Sequence, residues 1–270
     1  MGRYGKIIGM GLAVIAIIVA GLGIYYHFSV KPAEKPFSPE SPAAKSTSPP
    51  DEKGISEKEV PHLHLPSLKE SDEWFRKRIK DFRSYPKLAE WLKVNDLIRR
   101  ITAAVDNIAD GQSPRPHLKF LAPGKEFSVV KKQEKLYLNP QSYRRYDLVA
   151  EALASLDAHE TVQVFREIKP LFQEAYRELG YPNEDFQNTL IRAIRELLGT
   201  PLVEEDIVLE QAVATYQMAD EDLEDLSDAQ KHLLRMGPQN VRKIQSKLRE
   251  MALALGVPEN QLPNPQGHAK

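Results

Sequence analysis

Thr161 to Leu179 reads TVQVFREIKPLFQEAYREL. Phe165, Ile168, Leu171 or Phe172, Ala175 and Leu179 recur at steps of three and four, which is the period of one face of a helix. Arg166, Lys169, Gln173, Arg177 and Glu178 fall largely on the other faces. The same spacing governs Trp91, Val94, Ile98, Ile101, Val105 and Ile108, then Leu190, Ile191, Ile194 and Leu197, then Val241, Ile244, Leu248, Met251 and Leu255. Such patterns predict roughly six or more amphipathic helices. Boundary signals sit where they are needed. Ser67 with Glu70 reads as a capping box, Gly180 and Gly256 as C-terminal stops, and Pro238 as the start of a helix.

Two stretches break the helical period. Between Gly111 and Gln141, five residues punctuate the chain: Pro114, Pro116, Pro123, Gly124 and Pro140. Within it, Phe127–Val130 and Leu136–Leu138 suit a short hairpin. Ile207–Leu209 with Val213–Tyr216 form a second candidate pair. The expected fold is therefore mainly α, a multi-helix domain over 67–258 with one or two short β-hairpins as minor decorations. Residues 259–270 are expected to be a disordered tail.

The N-terminal part has a different physics. After a basic tail at 1–6, Ile7 to Phe28 reads IIGMGLAVIAIIVAGLGIYYHF, without Asp, Glu, Lys or Arg and with Tyr25 and Tyr26 near its end. A hydrocarbon core about 30 Å thick needs roughly 20 apolar helical residues, and interfacial tyrosines favour its boundary. The stretch reads as an uncleaved single transmembrane helix rather than a secretory signal, whose apolar run is only about 7 to 15 residues. Arg3 and Lys6 before the span, against Lys31, Lys35 and Lys45 after it, leave the charge rule close to balanced. The short, purely basic lead favours an internal N-terminus and a C-terminal domain outside the cytoplasm. Gly5 and Gly9 make a GxxxG pattern that points at most to a weak homodimer. Residues 29–66 hold Pro32, Pro36, Pro39, Pro42, Pro49, Pro50, Pro61 and Pro66 among Ser, Lys and Glu. Proline removes donors and low hydrophobicity cannot offset ordering entropy, so this is a disordered linker.

Composition excludes several chemistries. With no cysteine, disulfides, thiolate metal sites and cysteine nucleophiles are absent. The 37 Lys and Arg nearly cancel 38 Asp and Glu, which removes the electrostatic case for a nucleic-acid partner. His62 and His64 form a His-x-His pair, yet they lie in the linker without a third ligand nearby. The acidic run Asp220, Glu221, Asp222, Glu224, Asp225 and Asp228 fails as an EF-hand, because Asp225 stands where glycine is required and Lys231 where a bidentate glutamate is required. An acidic helix start explains it better. GxSxG, SxxK and phosphate-cradling glycine loops are all missing. Tyr143-Arg144-Arg145-Tyr146 offers a basic, aromatic anion contact, but Tyr146, Val149, Leu153 and Leu156 continue one apolar face and favour packing. No catalytic residue, no cofactor and no metal ligand is assigned.

Four segments carry a family resemblance: Val105-Asp106-Asn107-Ile108, LFQEAYRELGYP at Leu171 to Pro182, LLGTP at Leu197 to Pro201, and QKHLLRMGPQN at Gln230 to Asn240. Together they make the stretch from about Leu97 to Leu255 resemble an uncharacterised bacterial family of membrane-anchored proteins, a domain of unknown function. The resemblance implies one fold and a bacterial envelope setting, and it supplies no activity or catalytic residue. Read physically, Gly180-Tyr181-Pro182 and Met236-Gly237-Pro238 are helix punctuation. Asp106, Asn107, Gln230 and Lys231 are polar positions in apolar patterns, suited to a buried hydrogen-bond network or to a ligand. The expected role is a membrane-tethered, periplasm-facing interaction or scaffold domain, with an envelope-acting hydrolase as the alternative. The lipid bilayer is met through residues 7–28, and an envelope protein partner through Arg166, Lys169 and Arg177.

Overall fold

The structure, a computed structural model, describes residues 65–79, 91, 93–122, 127–212, 215–264 and 267. The apolar run 7–28, the histidine pair and nearly all of the proline-rich stretch lie outside these residues. Among the described residues no helix is long and apolar enough to cross a membrane.

The domain is mainly helical and carries one small antiparallel sheet, β1-β2-β3-β4. In chain order the helices are α1 (Ser71–Ile79), α2 (Leu97–Ala109), α3 (Pro140–Tyr143), α4 (Asp147–Ala154), α5 (Ala158–Glu178), α6 (Phe186–Leu198), α7 (Glu221–Glu224), α8 (Asp228–Leu234) and α9 (Pro238–Ala254). Strands β1 (Val129–Lys132) and β2 (Lys135–Leu138) precede α3, whereas β3 (Val208–Gln211) and β4 (Tyr216–Met218) follow α6. Helices α2, α5, α6 and α9 pack on one another around the main core, and α4 lies along α9.

Caps decide where the helices begin. Asp157 accepts from the Glu160 amide at 2.8 Å, so α5 starts at Ala158, seven residues before the apolar pattern opens at Phe165. Its predicted face is buried at Phe165, Ile168, Leu171, Phe172 and Ala175. Leu179 is instead 43% exposed, because the helix ends at Glu178 and the chain turns away through Gly180, at φ +109°. Pro170 sits on the exposed face of the same helix, where its lost amide leaves only the Arg166 carbonyl without an intrahelical donor.

The N-terminus of α2 is capped by another helix. Asp96 is left-handed at φ 57° and makes no side-chain cap, but Asp72 of α1 accepts from the amides of Asp96 and Leu97 at 2.6 and 3.0 Å. The left-handed Asp96 breaks the helix expected through Trp91 and Val94, and these two pack on the core from the preceding segment. Ser67 does not form the expected capping box, since its hydroxyl donates to Glu70 and it opens only a 3-10 turn. A complete box occurs at Ser227 and Gln230, heading α8.

The two predicted hairpins merge. Leu136 and Tyr137 of β2 pair with Leu209 and Val208 of β3, joining them into one sheet over a second apolar cluster of Leu138, Val203, Ile207, Leu209, Met218, Leu223 and Leu234. The sheet is thus a unit with its own core, not a pair of decorations. Strand β4 falls at 216–218, later than the expected 213–216, of which 213 and 214 are outside the described residues. The β1-β2 turn uses Gln133 and Glu134, both at positive φ (44° and 65°) and neither a glycine.

The C-terminal segment differs from expectation as well. Glu259–Gln261 form a 3-10 turn, Leu262 is buried in the main core, and Arg195 and Arg249 hold Gln261 and Glu259. Residues 259–264 therefore belong to the domain rather than to a disordered tail. At the other end, Leu65, placed in the linker by sequence, packs partly buried on the same core.

Gly237 gives the sharpest steric test. At φ +86°, a Cβ there would lie 2.4 Å from the Tyr143 ring. Gly237→Ala should destabilise the domain by about 2–4 kcal/mol, combining overpacking with a backbone conformation reserved for glycine. Urea unfolding of the variant beside wild type reads this directly.

Candidate functional site

Most of the motif residues turn out to hold the chain's corners. Gln230 donates to the Glu196 carbonyl at 3.2 Å, and Ser227 donates to the Glu196 carboxylate at 2.6 Å, tying α8 to the end of α6. A side chain at Gly199 would press on the Gln230 amide at 3.1 Å. Gln245 reaches across from α9 to the carbonyls of Leu197 and Thr200 at 3.0 and 2.8 Å, satisfying the C-terminus of α6. At the α8–α9 corner, the Asn240 amide donates to the carbonyls of Tyr143 and Met236 and to the Asp147 carboxylate. Asn107 likewise donates to the Ser113 carbonyl at 3.0 Å. Lys231 donates to the Glu224 carbonyl at 2.9 Å, while the carboxylate of Glu224 caps the Met218 amide at 2.8 Å. The acidic run caps and fills the short α7, with Asp220 accepting from the Asp222 amide, and ends at Asp228, the first residue of α8.

Arg145 lies 5.2 Å over the Tyr146 ring and 5.7 Å over Phe127, and its Nε donates to the Ser142 carbonyl. Tyr146, Val149, Leu153 and Leu156 are buried, so the apolar face that begins at Tyr146 packs inward as its spacing predicts, while Arg144 stays exposed. Asp106, Arg145 and Lys231 each interact with a different set of groups: Tyr176, Tyr181 and Arg192 for the first, Phe127, Tyr146 and Ser142 for the second, Glu224 and Asp228 for the third.

Asp106 is the exception among the motif residues. It stands near the C-terminus of α2, half-buried, and its Oδ1 is buried with no hydrogen-bond partner. Burial first, then the charge of Asp110 one turn on, push its carboxyl above the ordinary aspartate range, against the Tyr181 and Tyr176 hydroxyls and the Arg192 charge. Tyr176 and Tyr181 stack at 4.5 Å beside it, and Thr189 donates to the Tyr176 hydroxyl at 2.9 Å. The Asp106-Asn107 pair and the Leu-Gly-Tyr-Pro turn, distant in sequence, are thereby brought together.

The three residues expected to meet a partner lie along α5 in different settings. Arg166 is exposed and donates to the Ala254 carbonyl at 3.1 Å, at the end of α9. Lys169 pairs with Asp185 at 2.7 Å, holding the start of α6. Arg177 is exposed on the last turn. A shallow groove of about 560 Å³ runs elsewhere, along α9 past Ala154, lined by Gln239, Arg242, Lys243, Lys247 and Glu250. Its cations are matched by Glu204, Glu151 and Glu250, so it presents no concentrated positive field. Among the described residues no group of His, Asp or Glu is placed to hold a metal ion.

Residues 97–252 match the model of a family described as a protein of unknown function, DUF3014. The chain belongs to this family. No curated protein and no solved structure matches it. The DUF3014 region opens on the first residue of α2 and closes within α9, so it takes in the core helices and the sheet. Sequence reasoning found its motif segments but not the site they build, because the approach of Asp106 to Tyr176 and Tyr181 depends on how α2 packs on α5. The one signal was polarity inside an apolar helical pattern.

His232 in α8 is buried, and burial followed by Arg235 and Arg115 brings its imidazole down to about 3. The sign follows from linkage: the unfolded chain takes up a proton below about pH 6.5 and the folded chain does not, so stability present above that value is lost toward pH 3. Between pH 7 and pH 5 this one group should cost about 2 kcal/mol. Denaturation of wild type and His232→Leu at both pH values is expected to show that increment only in wild type.

Proposed function

We propose that this chain is a membrane-tethered interaction module of the bacterial cell envelope. Residues 7–28 cross the inner membrane, the proline-rich stretch from 29 up to Leu65 acts as the tether, and the helical domain faces the periplasm and binds an envelope protein there. The observation that carries this reading is the uncharged run Ile7 to Phe28, followed at once by the proline-rich stretch. Tethering raises the concentration of a binding domain near its target, an advantage that requires no new contact. That Asp106, Arg145 and Lys231 engage different groups, Arg145 and Lys231 in contacts that hold the fold, supports an interaction role over the hydrolase alternative, because acid–base chemistry needs its groups directed at one substrate. Arg166, Lys169 and Arg177 are proposed as the polar stripe the partner meets.

Topology is tested by a C-terminal reporter. Activity confined to the periplasm is expected, whereas a reporter active only in the cytoplasm, or a mature N-terminus beginning after Gly23, would overturn the reading. The stripe is tested by crosslinking and pull-down from native membranes with charge reversals at its three positions. Arg177→Glu should weaken capture of the partner while changing stability by under about 0.5 kcal/mol. Lys169→Glu also breaks the exposed pair with Asp185, at a cost of up to about 1 kcal/mol. An unchanged set of captured proteins in all three variants would remove the stripe.

A further inference from the structure

Strand order leaves β1 and β4 at the two edges of the sheet, and the edges are finished differently. On β4, the Ala219 amide bonds back to Val208, so the Met218 amide faces outward, where the Glu224 carboxylate takes it at 2.8 Å. On β1, alternation decides what is free. The Asn139 amide donates to the Ser128 carbonyl, and Lys132 pairs with Lys135 across the turn Gln133-Glu134. Ser128, Val130 and Lys132 therefore carry the ladder to β2, while Val129 and Lys131 aim their N–H and C=O groups away from the sheet. Among the described residues no hydrogen bond reaches those outward groups.

An open edge is ordinarily blunted by unpaired lysines, a proline, a bulge or a covering element. The two lysines of β1 are matched instead. Lys131 pairs with Glu134 at 2.8 Å, and Lys132 runs over the Tyr137 ring, 5.3 Å from its centre, to reach Asp206 at 2.5 Å. Beside this edge the solvent face of the sheet is apolar. Val130, Tyr137 and Val208 form one cross-strand row, each half-buried and outside the second apolar cluster.

We propose that β1 is a self-pairing edge, which joins a second copy of this chain by antiparallel addition centred on Val130 against Val130 of that copy. The inference depends neither on the membrane reading nor on the α5 stripe. Strand parity fits it. A two-fold axis at Val130 sets Val129 opposite Lys131 of the second copy and Lys131 opposite its Val129, and each of these pairs exchanges both backbone hydrogen bonds. In this register Lys131 meets a valine and Lys132 meets Ser128 of the second copy, so no lysine stands directly against another. Moving the axis to Lys132 would set two lysines face to face. The row Val208-Tyr137-Val130 runs on into its own symmetry mate, which shields apolar surface on both sides of the axis. Because β1 has only four residues, the contact falls below the roughly 1,200 Å² of a stable interface, and the dimer forms at high local concentration.

The sequence has no cysteine, so one introduced thiol reports the register. Full-chain Val130→Cys, concentrated under mild oxidation, should give a disulfide-linked dimer, because facing residues of a non-hydrogen-bonded pair have Cα atoms about 4.5 Å apart. Lys132→Cys places its two thiols roughly 13 Å out of line along the strands and should not crosslink, and neither should Gln217→Cys on β4. Equal crosslinking at all three positions would mark random collision and overturn the register. A second arm uses the unaltered chain, so a variant that misfolds leaves the proposal testable. Hydrogen exchange at the Val129 and Lys131 amides should slow as protein concentration rises, and Val130→Lys should abolish that slowing by opposing two ammonium groups. Exchange that ignores concentration would overturn the proposal. So would exchange already slow at the lowest concentration, which would mean that another part of the same chain occupies the edge.

Discussion

Phe186 stacks on Phe172 at 5.2 Å, and this contact between the first residue of α6 and the middle of α5 organises the domain. Phe165 tilts against both rings, and Tyr176 meets Phe186 edge-on at 5.6 Å. Each of these aromatic side chains is essentially excluded from water. Burial of a large apolar side chain contributes roughly 1.5–3 kcal/mol, so the four rings hold the α5–α6 hairpin far more firmly than its surface ion pairs do. With that hairpin fixed, one side of α5 is offered to α2 and another to α9, and the remaining helices follow.

Seen from this hairpin, the family-like segments divide into two kinds. Gly199, Gln230, Gly237 and Asn240 let corners approach closely or satisfy carbonyls at helix ends, and their identities follow from geometry. Asp106 does not follow in that way. An uncharged residue of similar size would suit its surroundings better, because a half-buried carboxylate near Asp110 costs stability when ionised. A residue placed against its own electrostatic preference is a candidate for function, whatever the domain's partner proves to be.

The helices were legible in the sequence because their apolar spacing is local, and the buried faces of α5, α6 and α9 match it nearly residue for residue. What was not legible was long-range. Nothing near Leu97 announces that its cap is Asp72. The pairing of Leu136 with Leu209 joins segments 73 residues apart in the chain, and no local turn signal specifies it. Gln133-Glu134 shows the same limit within a hairpin, since its left-handed turn lacks the glycine or asparagine that would mark it. The Asp106 site was legible as an anomaly, a polar pair in an apolar run, but its neighbours were not.

The cap on α2 also separates two meanings of domain. The stretch shared with the family begins at Leu97, yet the carboxylate that satisfies the amides at that point belongs to Asp72 in α1. At the opposite end the shared stretch stops at residue 252, whereas Leu262 still fills part of the main core. The stretch that matches the family is thus shorter than the packed unit it belongs to. A fragment cut at the family limits would begin with an uncapped helix end and finish with an uncovered core, so an expressible soluble piece has to run from before Leu68 to beyond Leu262.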